Sequence, residues 1–271
     1  MKIKFLGTGA SEGVPDIFCD CPVCREARKS GGKEARTRAG VLINDTLLID
    51  FSPDFFANSI KYGIDGKKIG NILITHSHSD HFAIEDIVYS MLGSKDRGTV
   101  DVYSNETVLE RLKTEAETWQ VGSNFRLHNA ESYVTFRAGK YEITAFEAVH
   151  MPAERALMFF IGDGNSGYLH LYDTGEIKEE VVEWMRANKK KANVVAFDCT
   201  FGTLGTNYYG HMNLRQVKTE CDRLGKNGIL APGAQLIATH ICHWGGTHAD
   251  LCKAAKGTNI KIAFDGAEVI A

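Results

Sequence analysis

Apolar and polar positions alternate along much of the chain in two distinct periods, and the switches between them outline the elements. Residues 2–6 place Ile3 and Phe5 at strand spacing before Gly7-Thr8-Gly9 opens a loop. Segments 39–44 and 46–51 flank Asn44-Asp45 and predict a hairpin. Ser52 before Pro53 reads as an N-cap with proline at the first helical position, starting a helix that runs to about Tyr62. Residues 71–75 form a buried-type strand, Ile-Leu-Ile between polar ends, and Ile84, Ile87, Val88, Met91 and Leu92 then recur at helical spacing.

The same reading predicts a strand over 100–103, a helix over 106–119, and strands near 133–136 and 142–147. Strands 158–161 and 168–172 are joined by Gly162-Asp163-Gly164-Asn165-Ser166-Gly167 as a second hairpin. A helix over 178–188, a strand over 194–197, a helix over 214–224, a strand over 235–239 and a last short helix and strand follow. Hairpins interspersed among strand–helix units do not suit a purely parallel sheet; they suit mixed sheets with helices packed outside. One echo stands out. Ile72-Leu73-Ile74-Thr75-His76 and Leu236-Ile237-Ala238-Thr239-His240 are both apolar strands ending in Thr-His, as two similar halves meeting at one site would require.

The 271 residues carry no linker-like stretch and no break in composition, so a single domain over 1–271 is expected. A net charge of −3 offers no global attraction for nucleic acid. The first residues lack the long apolar core of a signal peptide, and no stretch approaches the roughly 20 residues that span a bilayer. A cytoplasmic protein without membrane contact is the expectation. Seven cysteines, an odd count, then argue for metal ligation instead of a disulfide framework.

The candidate chemistry lies at His76-Ser77-His78-Ser79-Asp80-His81. His76 and His78, two apart at a strand end, point to one side of extended chain, and Asp80 and His81 follow where the chain turns toward a helix. Imidazole and carboxylate together suit zinc, iron or manganese in hydrolytic sites. Four donors in six residues exceed what one catalytic ion with an open position needs, which implies two ions. Asp50, ending Leu47-Leu48-Ile49, is a candidate acceptor for a liganding imidazole, or simply a strand-end turn residue.

This motif resembles that of the metallo-β-lactamase superfamily. The resemblance implies an α+β fold, a four-layer αββα sandwich of two mixed β-sheets with external helices. It also implies three further ligands, for which the chain offers His150, Asp173 and His240, each just after an apolar strand. By analogy His76, His78 and His150 hold one ion, Asp80, His81 and His240 the other, and Asp173 bridges them. Two cations in such a pair acidify a shared water and hold it as hydroxide near neutral pH.

Cys19, Cys21 and Cys24 form a Cys-x-Cys-x-x-Cys knuckle, inserted at about residues 15–30. Three thiolates select a structural zinc, and His243 is the expected fourth ligand, with Cys242 its competitor. The Gly-Thr-Gly opening, the knuckle, Thr239-His240-Ile241-x-His243 and Phe264-Asp265-Gly266 together resemble the cyclic-phosphate phosphodiesterases of phosphonate breakdown. That resemblance implies a small cyclic diester as substrate, such as 5-phosphoribosyl 1,2-cyclic phosphate or a cyclic nucleotide, and a homodimer. It also places His211 as the group that assists the leaving oxygen, although Met212 departs from the family pattern and a helix-start role stays open. Asp80 joins it as a catalytic residue. Two divalent ions, zinc or manganese with iron as a further choice, and one structural zinc complete the expected cofactors.

The knuckle also occurs in the metallo-β-lactamase-like protein of pyrroloquinoline quinone biosynthesis, so a non-catalytic metal-binding role is an alternative. tRNA 3′-processing nucleases share the ligands but carry a tRNA-gripping arm between the later His and Asp, where this chain has only a hairpin. Lactone and thioester hydrolysis use the same metals. Arg36 and Arg38 read as phosphate binders or, more commonly for such residues, as ordinary surface arginines, and His128, His170 and His248 as surface or strand histidines.

Overall fold

The computed structural model describes residues 1–93, 98–206 and 208–271. Fourteen strands among them form two seven-stranded sheets. In the first, β1 (Lys2–Gly7), β2 (Gly40–Ile43), β3 (Leu47–Ile49), β4 (Asn71–Leu73), β5 (Val100–Ser104) and β6 (Phe125–Asn129) lie side by side in chain order. The second holds β7 (Thr135–Ala138), β8 (Tyr141–Glu147), β9 (Leu157–Gly162), β10 (Gly167–Leu171), β11 (Ala192–Asp198), β12 (Leu230–Thr239) and β13 (Ile260–Ile262) in the same fashion. The last strand, β14 (Glu268–Ile270), returns to pair antiparallel with β1.

Each sheet is half antiparallel and half parallel. In the first, β3 to β6 run parallel. In the second, β10 to β13 do. Three apolar layers fill the space between elements. Ile3, Phe5, Val41, Ile143, Phe159 and Tyr168 pack between the sheets. Leu48, Ile72, Ile87, Val102 and Leu112 pack under α2 (Phe55–Tyr62), α3 (Ile84–Tyr89) and α4 (Glu106–Thr118). Leu169, Val182, Phe197, Val217 and Leu251 pack under α5 (Glu179–Ala187), α6 (Leu214–Lys226) and α7 (His248–Ala255). The order helix, sheet, sheet, helix is the expected αββα sandwich, since each sheet has two apolar faces to cover. Among the described residues no helix is long and apolar enough to cross a membrane.

Several local expectations are met for the expected reasons. The β2–β3 hairpin turns on Asn44 and Asp45 with φ of 46° and 60°, the left-handed pair that a two-residue turn needs. Others need correction. The second helix starts at Phe55, not after a Ser52 cap, and its N-cap is Asp54 with no side-chain cap bond. Asp54 is instead committed to Arg38, whose Nε and Nη2 donate to its two oxygens at 2.8 and 2.7 Å. The third helix ends at Tyr89, short of Leu92. The knuckle contains α1 (Pro22–Ser30), in which the Cys21 sulfur accepts from the Cys24 N–H as N-cap. Strands β6 and β14 had no clear alternation to reveal them, because both are edge strands with exposed positions. Arg36 is buried, not a surface residue, whereas His170 lies on a strand as expected, fully buried on β10.

The Arg38–Asp54 pair ties α2 to the segment before β2. Burial alone would raise the Asp54 carboxyl, but the Arg38 guanidinium and backbone N–H hold it below its ordinary value. A depressed folded pKa gives stability that is present above the unfolded carboxyl pKa and lost as pH falls through the folded one. Asp54→Asn is therefore expected to cost about 1 kcal/mol at pH 7 and to narrow the gap to wild type as pH drops from about 5 to 3, read by thermal melts. A gap that stays constant over that window would show that the charge on Asp54 is not what stabilises α2.

Candidate metal centre

The site forms at one rim of the sandwich, where the carboxyl ends of the parallel strands from both sheets face each other. Strand β3 delivers Asp50, β4 leads into Thr75 and His76, β10 delivers Asp173, β11 ends on Asp198, and β12 ends just before His240. Such carboxyl ends are where open α/β sheets place ligands. Asp50, Asp173 and His240 all adopt positive φ, at 62°, 45° and 58°. That conformation costs an L-residue on the order of 1 kcal/mol or more, and it bends each side chain inward at the strand end.

Seven side chains meet there. One group brings together His76, His78, His150 and Asp173, and a second brings together Asp80, His81, Asp173 and His240. Asp173 belongs to both. His76 Nε2 lies 2.8 Å from His78 Nδ1, which lies 3.1 Å from His150 Nε2. His81 Nε2 is 3.2 Å from His240 Nε2, and Asp173 Oδ1 is 2.8 Å from the latter. Every residue expected to ligate the two ions is therefore in one place.

The outward edges of these rings show why they gather. His81 Nδ1 donates to Asp50 Oδ2 at 2.7 Å, and His150 Nδ1 to the Gly210 carbonyl at 3.2 Å. Thr75 and Thr200 hydroxyls meet His76 Nδ1 and His240 Nδ1 at 3.0 and 2.9 Å. A neutral imidazole whose Nδ1 donates outward has a bare lone pair on Nε2. Lone pairs of several rings then face one another at about 3 Å with buried carboxylate oxygens between them. Asp173 Oδ1 is buried without a hydrogen bond of acceptable geometry. A tetrahedral ion with bonds of about 2.0–2.1 Å sets its ligand atoms roughly 3.3 Å apart, so the donor set fits divalent metal.

Electrostatics agree. Burial would raise Asp80 and Asp173, but the imidazoles of His81 and His240 hold both well below the carboxylate range. Burial drives His76 and His150 down, toward the neutral form. His81 and His240 go the other way: against burial, Asp173 and its neighbours raise them, His240 to about 10. Protons and cations thus compete for the same nitrogens, and ion binding would release protons.

Two further groups hold this constellation. Glu154 accepts from the Ser77 N–H at 3.0 Å, from the Ser77 hydroxyl, and from Asn105 Nδ2 at 2.7 Å, latching the loop after His150 onto the histidine-rich turn. Asp198, fully buried, accepts from the N–H groups of Thr200 and Met212 and from His211 Nδ1 at 2.7 Å. His211 itself stands two residues before the Asn213 cap of α6 and stacks 5.8 Å over His240. Burial would lower His211, but facing Asp198 raises it. Neither Glu154 nor Asp198 is singled out by the sequence. Asp198 could have been, since it ends an apolar strand much as Asp173 follows one.

Cys19, Cys21, Cys24 and His243 form a separate group. His243 Nδ1 lies 3.6 Å from both the Cys21 and Cys24 sulfurs. A tetrahedral zinc with S and N bonds of about 2.3 and 2.0 Å separates such atoms by roughly 3.5 Å. Cys242, the competitor, is buried outside that group. Against burial, the Cys24 N–H and His243 bring the Cys21 thiol down to about 6.

The family model described as a beta-lactamase superfamily domain matches residues 45–241. The chain belongs to this superfamily. Its fold is that of metal-dependent hydrolases, and solved structures share it along the whole length. A diphosphatase from the PhnP family superposes with a TM-score of 0.78 at 24% identity, covering 100% of this chain and 97% of that one. Zinc-bound PqqB from Methylobacterium extorquens gives 0.76 at 17% identity over 100% of both chains. The short form of human tRNase Z gives 0.68 at 16%, covering 100% and 99%. Among curated proteins, an octanoyltransferase of Porphyromonas gingivalis is 33% identical over 117 residues, 42% of this chain but 22% of that protein. Coenzyme PQQ synthesis protein B of Methylobacterium radiotolerans is 29% identical over 127 residues, 41% and 42% of the two chains. The matches thus span about a fifth and two fifths of these curated relatives.

Two substitutions test the geometry. His243→Ala is expected to lose one zinc per chain by elemental analysis and several degrees of melting temperature while the seven-residue cluster keeps its ions; an unchanged metal count would assign the fourth ligand elsewhere. At Gly175 an added Cβ would sit 1.8 Å from the Tyr209 carbonyl. Gly175→Ala should therefore displace the 209–211 segment and lower activity at least tenfold, whereas wild-type activity would show that this segment does not set the site.

Proposed function

We propose that this protein is a metal-dependent phosphodiesterase that hydrolyses a small cyclic or nucleotide-like diester, with 5-phosphoribosyl 1,2-cyclic phosphate and cyclic nucleotides as the first candidates. The observation that carries the reading is the pair of ligand groups sharing Asp173, with His211, held by the buried Asp198, lining the same cavity. The likeness to a PhnP-family diphosphatase and to a tRNase Z supports phosphoryl chemistry on this fold.

Two divalent ions, zinc or manganese with iron as a further choice, would be held by the seven ligands, acidify a water and neutralise charge on the phosphoryl oxygens. The protein's own groups do the rest. Asp173 and Asp80 stay ionised, so both can hold the ions and set the spacing of the two ligand groups on which the reaction depends. Asp50 fixes the tautomer of His81, so that Nε2 and not Nδ1 faces inward. Asp198 does the same for His211 and favours its protonated form. His211 Nε2 can then give a proton to the departing alkoxide. Cys19, Cys21, Cys24 and His243 would hold a structural zinc that pins the knuckle beside the cavity.

Thioester hydrolysis is the second reading, favoured by the 33% identity to a segment of an octanoyltransferase. A tRNA substrate is disfavoured: among the described residues that line the cavity none is lysine or arginine. A non-catalytic metal-binding role is a further alternative, which the hydrolysis assays below would separate from the first reading.

Metal-reconstituted protein should turn over bis(p-nitrophenyl) phosphate and 2′,3′-cyclic nucleotides, and Asp80→Ala and His150→Ala should lose at least a hundredfold while melting cooperatively. Activity confined to lactones or thioesters would replace this reading with the second. A general acid matters most for poor leaving groups, so His211→Gln should cost about 10²–10⁴-fold on a cyclic nucleotide but far less on a p-nitrophenyl ester. Equal losses on both would remove His211 from proton donation.

A further inference from the structure

The cavity over the metal centre extends well beyond the ligands, with a volume of about 470 Å³. Its far end has an unusual lining for a site that handles phosphate. The aromatic rings of Phe201, Tyr208 and Trp244 face it together with the carboxylates of Glu12 and Asp16. Tyr208 lies nearly parallel to the His211 ring, at 21° and 5.8 Å, with Phe201 edge-on behind it. Trp244 is 62% exposed although it follows the buried His243. Glu12 Oε1 and Asp16 Oδ2 each lie 3.9 Å from His243 Nε2. Glu12 also accepts from the His243 N–H and Ser11, and Asp16 from the Phe18 N–H, while Arg28 Nη2 donates to the Asp16 backbone carbonyl at 2.7 Å.

A second phosphate on the substrate would meet the Glu12 and Asp16 carboxylates here, with no lysine or arginine among the described lining residues. A cation would meet aromatic faces and negative charge at once, the combination that recognises quaternary ammonium groups. We propose that the far end of this cavity is a subsite for a cationic headgroup, so that the substrate is a phosphodiester bearing a choline-like or other ammonium arm. The inference rests on the phosphodiesterase reading and narrows it: it ranks an ammonium-bearing diester above the phosphorylated cyclic sugar. In the reaction, water oxygen bonds to phosphorus, one P–O ester bond breaks, and the departing alkoxide takes a proton to leave an alcohol and a phosphomonoester.

The test compares p-nitrophenyl phosphocholine with its neutral isostere, p-nitrophenyl 3,3-dimethylbutyl phosphate, on the metal-loaded protein. A kcat/KM ratio of tenfold or more in favour of the choline ester is expected. The ratio should fall toward one in Glu12→Gln/Asp16→Asn and in Trp244→Ala, with the zinc count checked in each. Equal rates for the two esters, with both turned over, would overturn the headgroup subsite and leave the phosphodiesterase reading standing. Independently of turnover, choline itself should change tryptophan fluorescence saturably, 3,3-dimethylbutanol should not, and Trp244→Phe should abolish the response. A missing choline response overturns the proposal; a choline response without hydrolysis of either ester keeps the subsite and refutes the diester reaction.

Discussion

Five imidazoles and two carboxylates packed into one rim, most of them buried, are held together by a single constraint: the outward nitrogen of four of the five rings is already spoken for. Asp50, Thr75, Thr200 and the Gly210 carbonyl take the Nδ1 edges of His81, His76, His240 and His150. What is left facing inward is lone pairs and anionic oxygen, an arrangement that repels itself unless a cation or protons intervene. The raised His81 and His240 and the lowered Asp80 and Asp173 are the protonic solution to that repulsion. Metal is the other solution, and the ligand spacing suits it.

The sandwich exists to supply this rim. Parallel halves of two sheets present their carboxyl ends to one another, and the left-handed conformations of Asp50, Asp173 and His240 turn side chains into the gap. Strain at three strand ends is tolerable because the layers beneath are continuous apolar cores. The N-terminal knuckle fits the same logic from outside. Its anchor, His243, lies three residues beyond the ligand His240, so the segment that carries one metal group also fastens the wall of the cavity.

The donor groups and the aromatic and acidic lining share one cavity, in which His211, held by the buried Asp198, packs against Tyr208 and Phe201, and Glu12, Asp16 and Trp244 lie beside His243. Diphosphatases, tRNase Z and PqqB share this fold, and the fold by itself does not fix what the site accepts.

The residues of the donor cluster were legible in the sequence because metal chemistry restricts residue type and because strand ends advertise themselves: an apolar run, then His or Asp. The echo between the strand before His76 and the strand before His240 is local in each case and needs no knowledge of the other. Most elements were legible too, since hydrophobic period and turn residues are short-range signals. The supporting partners were not. Asp198, Glu154, Arg36 and the loss of the Ser52 cap depend on which loop lies across from them, and Asp54 gives up a capping role only because Arg38 reaches it. Edge strands such as β6 and β14 exist by virtue of a neighbour to pair with. Residue chemistry is written in the chain one position at a time; who faces whom across the two sheets is decided only when they close.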